Sequence, residues 1–192
     1  MKPLDCLDRL PENKRRFALA LFESIGSTQG VLSTTLVGSF CSQPGIEGIS
    51  DIDTIVIVDR ITQSLFSEIH KSVKSAAKPE LLGLPKHQLV INDTFGPLKI
   101  DTPETVVLHL MIYDVEGHRK HVLESPFTCF DWEKSLTFHG TSLRDIYPVL
   151  RLQPSHFSEA RRGMKDYIDD IRRGSISSVS YTHLTLPTNR EV

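Results

Sequence analysis

Two aspartates, Asp51 and Asp53, are the residues of this 192-residue chain whose type and spacing point most directly to chemistry. They begin a run that continues into the apolar residues 55–58, a pattern typical of a buried β-strand. Side chains two apart on a strand project from one face, so the carboxylates of this aspartate pair lie side by side. Adjacent carboxylates repel and stay ionised together when a cation lies between them. We expect Mg²⁺, with Mn²⁺ as the alternative, because Mg²⁺ binds one or two carboxylates together with substrate phosphates.

A Gly-Ser turn, Gly38 and Ser39, precedes the aspartate pair by eleven residues and follows a β-branched run, 31–37. A glycine at a strand end lets phosphate oxygens approach the backbone closely, and the serine adds a hydroxyl and backbone N–H groups. Phosphate binding and metal binding then come from neighbouring strands. Phosphoryl and nucleotidyl transfer need this combination because their catalysis is mostly positioning and charge neutralisation.

This segment resembles the nucleotidyltransferase superfamily that includes the DNA polymerase beta type, the kanamycin-type antibiotic nucleotidyltransferases and the minimal nucleotidyltransferases. The family pattern is a hydrophobic residue, Gly, Gly or Ser, a short loop, then acid, hydrophobic, acid, hydrophobic; residues 37–39 and 51–53 match it, and Thr54 is a marginal last member. The resemblance implies transfer of a nucleoside monophosphate from an NTP to an acceptor hydroxyl, with release of pyrophosphate. It also implies that the aspartate pair holds the metal ions and that the Gly-Ser turn binds the β- and γ-phosphates.

The third carboxylate of the family pattern has no secure match in this chain. The family usually places it on a later strand that faces the first pair, and here His109 occupies the inward position of that strand. We therefore take His109 as the third catalytic candidate, because a neutral histidine can act as a base or as a metal ligand. Three carboxylates lie instead at strand ends: Asp101, Glu104 and Asp114.

A second departure concerns charge near the phosphates. Minimal members of the family often have an arginine soon after the Gly-Ser turn, whereas residues 40–50 contain no Lys or Arg. Neutralisation of the triphosphate would then fall to the metal ions and to basic residues elsewhere, such as Lys99 or Arg60.

The surrounding residues predict the elements that position these groups. Apolar periodicity predicts an amphipathic helix over 11–25 with Lys14, Arg15 and Arg16 on a basic face, and a second helix between a Thr62 cap and a stop at Pro79. The expected fold class is α/β (α+β), a mixed twisted sheet of four or five strands with flanking helices. Strands are predicted over 31–37, 51–58, 88–91, 98–100 and 105–113, and irregular structure over 114–153. A turn over 92–96 is expected to join the strands 88–91 and 98–100 into a hairpin.

Composition excludes several classes of protein. A content of 39% hydrophobic and 24% charged residues is typical of a soluble globular domain and not of a disordered chain or a coiled coil. No apolar run is long enough to span a membrane, and three scattered cysteines suggest neither a disulfide framework nor a thiolate zinc site, so we expect a cytoplasmic protein. The net charge of −2 without a basic block disfavours nucleic acid as the partner. The expected acceptor is a small molecule or a protein.

Three segments are expected along the chain. Residues 1–150 form the nucleotidyltransferase-like domain, and residues 151–177 form a C-terminal helix that can begin a further helical region. Residues 178–192 form a tail, which from Val179 resembles the translation of a transposon-end sequencing adapter. That resemblance implies a non-native tail, which we exclude from the fold.

Two alternatives to an active nucleotidyltransferase stay open. One is a catalytically inactive nucleotide-binding or partner-binding module of the same fold, which the unidentified third carboxylate would allow. The other is a phosphotransferase of another kind that shares only the aspartate pair. A further histidine pair, His118 and His121, is predicted to lie in a solvated turn rather than in a zinc site, because two basic residues separate the histidines and no third ligand is evident.

Overall fold

A computed structural model of the chain describes residues 10–42, 44–46, 51–93, 104–124 and 135–147, with isolated residues between 158 and 173. These segments form a five-stranded mixed sheet flanked by helices, which confirms the expected fold class. In chain order the elements are α1 (Glu12–Gly26), β1 (Val31–Val37), α2 (Ser39–Ser42), β2 (Asp51–Val58), α3 (Gln63–Ala76), a 3₁₀ turn (Pro79–Leu82), β3 (Gln88–Asn92), β4 (Thr105–Asp114), α4 (Val115–Glu124), β5 (Leu136–Gly140) and α5 (Leu143–Ile146).

The strand order of the sheet is β3-β4-β2-β1-β5, with β2 at its centre. β1 pairs antiparallel with β2 and with β5, whereas β4 runs parallel to both β2 and β3. Because β1 and β2 run in opposite directions, the end of β1 lies beside the start of β2. The parallel pairing brings the first half of β4 to the same place. Three strand segments with candidate site residues therefore meet at one end of the sheet.

The main core lies between one face of the sheet and the helices α1 and α3. Alternate residues of the central strands, among them Ile52, Val56 and Leu108, are fully buried there, as expected for strands with one face on a core. α3 begins where the sequence predicts it, because the Thr62 side chain accepts a hydrogen bond from the Leu65 backbone N–H at 3.2 Å. This packing fixes the position of β2, the strand that begins with the aspartate pair.

Lys14 departs from the predicted basic face of α1, because it is fully buried. Its ammonium group donates a hydrogen bond of 2.8 Å to the backbone carbonyl of Phe40 and lies 5.0 Å from the centre of the Phe40 ring. Burial lowers the pKa of Lys14. The side chain therefore connects α1 to α2, the short helix that follows the Gly-Ser turn.

The described residues after β4, 115–124 and 135–147, mostly form helices and a strand, contrary to the irregular structure predicted there. The predicted solvated turn at His118 and His121 is wrong, because both residues belong to α4 and His118 is fully buried. The ring of Tyr113 lies 6.1 Å from the His118 ring, and burial lowers the pKa of His118 to about 4, while the Leu143 backbone opposes that shift. α4 and α5 cover the second face of the sheet here, which explains why a polar residue is enclosed.

Three predicted segments fall largely or wholly outside the described residues. Within the predicted helix 151–177, the structure describes isolated residues, and Ser158, Arg161 and Lys165 among them are helical. The predicted strand 98–100 and the predicted tail, 178–192, lie outside the part of the chain that the structure describes. Within the part of the chain that is described, no helix has both the length and the apolarity needed to cross a bilayer.

Candidate functional site

The aspartate pair lies at the start of β2, as predicted. Asp51 opens the strand and is only 2% exposed, whereas Asp53 is half-buried. Both project from the face of the sheet opposite α1 and α3, because Ile52 between them belongs to the main core. Burial disfavours the charged form of a carboxylate unless a cation or hydrogen-bond donors compensate for the lost water. The position of Asp51 is therefore suited to binding a cation.

The Gly-Ser turn lies next to the second aspartate. Val37, the last residue of β1, pairs with Asp53, and Gly38 then turns the chain with a φ of 75°. A Cβ atom added at Gly38 would lie 3.0 Å from Asp53 Oδ2. The Gly38 carbonyl accepts a hydrogen bond of 3.2 Å from the Cys41 N–H, and the half-buried Ser39 begins α2. Glycine is required here by both the left-handed conformation and the close approach of the carboxylate.

His109 lies beside Asp53 on the neighbouring strand. The two residues are paired in the parallel ladder between β2 and β4, so they project from the same face about 5 Å apart along the ladder direction. On its other side, His109 pairs with Asn92 of β3, and Asn92 Nδ2 lies 3.1 Å from His109 Nδ1. The structure therefore brings together Gly38, Asp53 and His109, three of the residues that the sequence singled out.

Asn92 is a site residue that the sequence did not identify. It is 3% exposed and ends β3, whereas the turn-forming residues after it predicted a turn at this position. One sequence feature could have identified Asn92: it directly follows the apolar residues 89–91, so it is a polar residue at a strand end. Strand ends at one edge of a sheet are where binding groups often converge, but the pairing with His109 depends on the sheet order.

Neither of the two remaining carboxylate candidates that the structure describes completes the site. Asp114 pairs with Val58 at the far end of the ladder, five residues from His109 and thus about 17 Å away. Its Oδ1 accepts a hydrogen bond of 2.7 Å from the Gly117 N–H at the start of α4. Glu104 precedes β4 and is exposed, and Asp101 lies outside the described residues.

The basic candidates for triphosphate binding are likewise remote or outside the described residues. Arg60 follows the end of β2 opposite to the aspartate pair, and it is exposed. Lys99 lies outside the described residues. Over the described ranges, no group of three His, Cys, Asp or Glu side chains is placed to hold a metal ion. Two carboxylates are the kind of donor set that a hard divalent cation such as Mg²⁺ accepts when its other ligands are substrate oxygens and water.

The site thus combines two carboxylates, a glycine turn next to one of them, and a histidine on the adjacent strand. This set can hold a cation and bind phosphate oxygens within one small volume. No protein-family model matches the chain, and no curated protein matches it.

Proposed function

We propose that the chain is a metal-dependent nucleotidyltransferase that transfers a nucleoside monophosphate from an NTP to an acceptor hydroxyl and releases pyrophosphate. The single observation that supports this most strongly is the close approach of Asp53 to the Gly-Ser turn, where a Cβ added at Gly38 would lie 3.0 Å from Asp53 Oδ2. In this proposal the turn binds phosphate and the carboxylate binds the metal ion, so their proximity supports binding of a metal-bound triphosphate with its reactive phosphorus at one location. The strand order and the family resemblance of residues 36–58 support the same proposal.

In this proposal, each residue has a distinct role. Asp51 and Asp53 hold Mg²⁺, which when bound supplies charge neutralisation to the triphosphate. Gly38 leaves room for phosphate oxygens at the backbone, and Ser39 donates its hydroxyl to the β- and γ-phosphates. The oxygen of the acceptor forms a bond to the α-phosphorus, the bond from that phosphorus to the bridging oxygen breaks, and pyrophosphate leaves with the electron pair. The proton of the acceptor hydroxyl passes to solvent or to a base.

The acceptor in this proposal is a small molecule or a protein. The net charge of −2 and the absence of a basic run in the sequence disfavour a long nucleic acid, because phosphate-backbone binding depends on Lys and Arg. The three scattered cysteines suit a reducing compartment, which favours a cytoplasmic location.

The test compares Asp51→Asn and Asp53→Asn with Asp59→Asn as the matched control. Asp59 follows the opposite end of β2, is exposed, and accepts a hydrogen bond from the Arg60 N–H, which an asparagine oxygen can also accept. We expect each site variant to weaken Mg²⁺-dependent NTP binding by about tenfold or more, since loss of an ionic contact is worth roughly 1.5–3 kcal/mol, and the control to bind normally. Binding of a labelled NTP is measured with and without Mg²⁺ on folded protein. Unchanged binding in both site variants would show that the proposal is wrong.

The second candidate is the inactive nucleotide-binding module. It is favoured by one observation: in the described part of the chain, the residue beside Asp53 on β4 is His109 rather than a carboxylate. Such a module would lose Mg²⁺-dependent NTP binding in the same two variants. It would transfer no label from α-labelled NTP to any hydroxyl acceptor, whereas the enzyme would transfer the label to a suitable small-molecule or protein acceptor and release unlabelled pyrophosphate.

A further inference from the structure

Asp53, His109 and Asn92 form one polar row across three strands. Asp53 of β2 and Asn92 of β3 each pair with His109 of β4, and paired residues on neighbouring strands project from the same face. The residues on either side of His109 along β4, Leu108 and Leu110, are apolar and buried in the main core. Because Asn92 is almost fully buried, its amide group is held in place by its surroundings, and it limits the orientation of the His109 ring.

The contact with Asn92 determines which nitrogen of His109 bears a hydrogen. Asn92 Nδ2 is 3.1 Å from His109 Nδ1. In this orientation of the Asn92 side chain the amide nitrogen, which is a donor only, faces the ring, so Nδ1 is the acceptor and has no hydrogen of its own. A neutral imidazole has a single N–H group, which is therefore at Nε2. A nitrogen that bears a hydrogen neither coordinates a cation nor accepts a proton.

We propose that Asn92 is a positioning residue that holds neutral His109 with its hydrogen on Nε2, so that His109 donates a hydrogen bond to a phosphate oxygen of the bound nucleotide. The identity of that ligand rests on the function proposed above. His109 then occupies the position of the family's third carboxylate but has a different role, because it binds the substrate and not the cation. Among the residues that the structure describes, the aspartate pair is left to supply the protein ligands for Mg²⁺, and phosphate recognition is shared between the Gly-Ser turn and His109.

The tautomer is tested on the full chain without nucleotide or metal. A long-range ¹H–¹⁵N correlation spectrum at about pH 8, well above the ordinary histidine pKa, separates ring nitrogens with and without hydrogen, and the His109 signals are those missing in His109→Gln. We expect hydrogen on Nε2 in the wild type. In Asn92→Asp we expect hydrogen on Nδ1, because a carboxylate accepts it. Hydrogen on Nδ1 in the wild type would overturn the proposal, and the wild-type spectrum decides this even if the variant does not fold.

The donor role is tested with His109→Gln and His109→Leu. A glutamine amide can place an N–H group near the position of histidine Nε2, whereas leucine removes the donor and keeps an apolar volume. We expect His109→Gln to bind Mg²⁺–NTP within about threefold of the wild type, and His109→Leu to bind about tenfold more weakly, the effect of one hydrogen bond to a charged group. Equal losses in the two variants, or no loss in His109→Leu, contradict a donor role.

The aspartate variants keep this inference separate from the proposed function. If Asp51→Asn and Asp53→Asn weaken NTP binding while His109→Leu does not, the donor role alone fails. If neither aspartate variant weakens binding, the proposed function fails, and the spectrum still decides whether Asn92 sets the tautomer of His109.

Discussion

Replacing Gly38 with alanine tests whether the Gly-Ser turn and Asp53 act together in nucleotide binding. Gly38 has a φ of 75°, and an added Cβ would lie 3.0 Å from Asp53 Oδ2. Ordinary van der Waals contact begins at 3.4 Å, so the turn and the carboxylate must separate by about 0.4 Å. Binding and catalytic groups work best when held within about 0.5 Å of their productive positions. The substitution therefore displaces the carboxylate by nearly the whole tolerance of such a site.

Gly83 is the matched control for the conformational part of this change. Its φ is 80°, but an added Cβ there meets no atom within 4 Å. An L-residue in the left-handed region costs about 1–2 kcal/mol relative to glycine. We expect both Gly38→Ala and Gly83→Ala to lose about that much free energy of unfolding in urea denaturation, since both adopt the same backbone conformation.

Nucleotide binding then separates the two variants. We expect Gly38→Ala to bind Mg²⁺–NTP about tenfold more weakly, an effect of about 1.4 kcal/mol, because the displaced carboxylate no longer matches the phosphate-binding turn. Gly83→Ala should bind like the wild type. Wild-type affinity in Gly38→Ala, or an equal loss in Gly83→Ala, would refute the view that the turn and the carboxylate form one binding unit.

Two further predictions concern stability. The pKa of His118 is lowered from 6.5 to about 4, so between these pH values the unfolded chain binds a proton at this residue that the native chain does not bind. The free energy of unfolding therefore falls as the pH decreases through this range, by up to about 3 kcal/mol. His118→Gln should lose that part of the fall in urea titrations, while His70→Gln, which changes a half-exposed histidine, should keep it; identical pH profiles for wild type and His118→Gln would contradict the assignment. Gly140→Ala should destabilise the fold by about 1–3 kcal/mol more than Gly83→Ala, because its Cβ would lie 1.9 Å from the Leu32 carbonyl oxygen; equal unfolding midpoints would argue against this contact.

Local signals were sufficient for most of the fold. The predicted strands 31–37 and 51–58 coincide with β1 and β2, because runs of β-branched and apolar residues bounded by turn formers depend little on distant contacts. The cap at Thr62 likewise involves residues three apart in sequence. Within β4, the alternate residues Val106, Leu108 and Leu110 are buried in the main core, as the two-residue period of a strand with one face on a core requires.

Burial of single polar residues depended on contacts that local patterns do not contain. Lys14 is enclosed because Phe40, 26 residues away, accepts its hydrogen bond, and no periodicity within α1 indicates that partner. His118 is enclosed because α5 closes over α4. Asn92 has turn-forming chemistry, yet it ends a strand because β3 pairs in parallel with β4. Each of these outcomes was set by tertiary structure, which overrides weak local preferences.

The charges around position 109 favour a histidine over a carboxylate beside Asp53. A carboxylate at position 109 would add a third negative group to the polar row, and neither the loop 40–50 nor the described neighbours on β3 supplies a basic side chain to balance it. Two carboxylates balance one divalent cation, whereas a third would need a second cation to stay ionised. With a neutral histidine in that place, the phosphates of a bound nucleotide meet a donor instead of another negative charge. The proposed function therefore predicts that NTP binding depends on Mg²⁺ at the aspartate pair, which is the dependence that Asp51→Asn and Asp53→Asn remove.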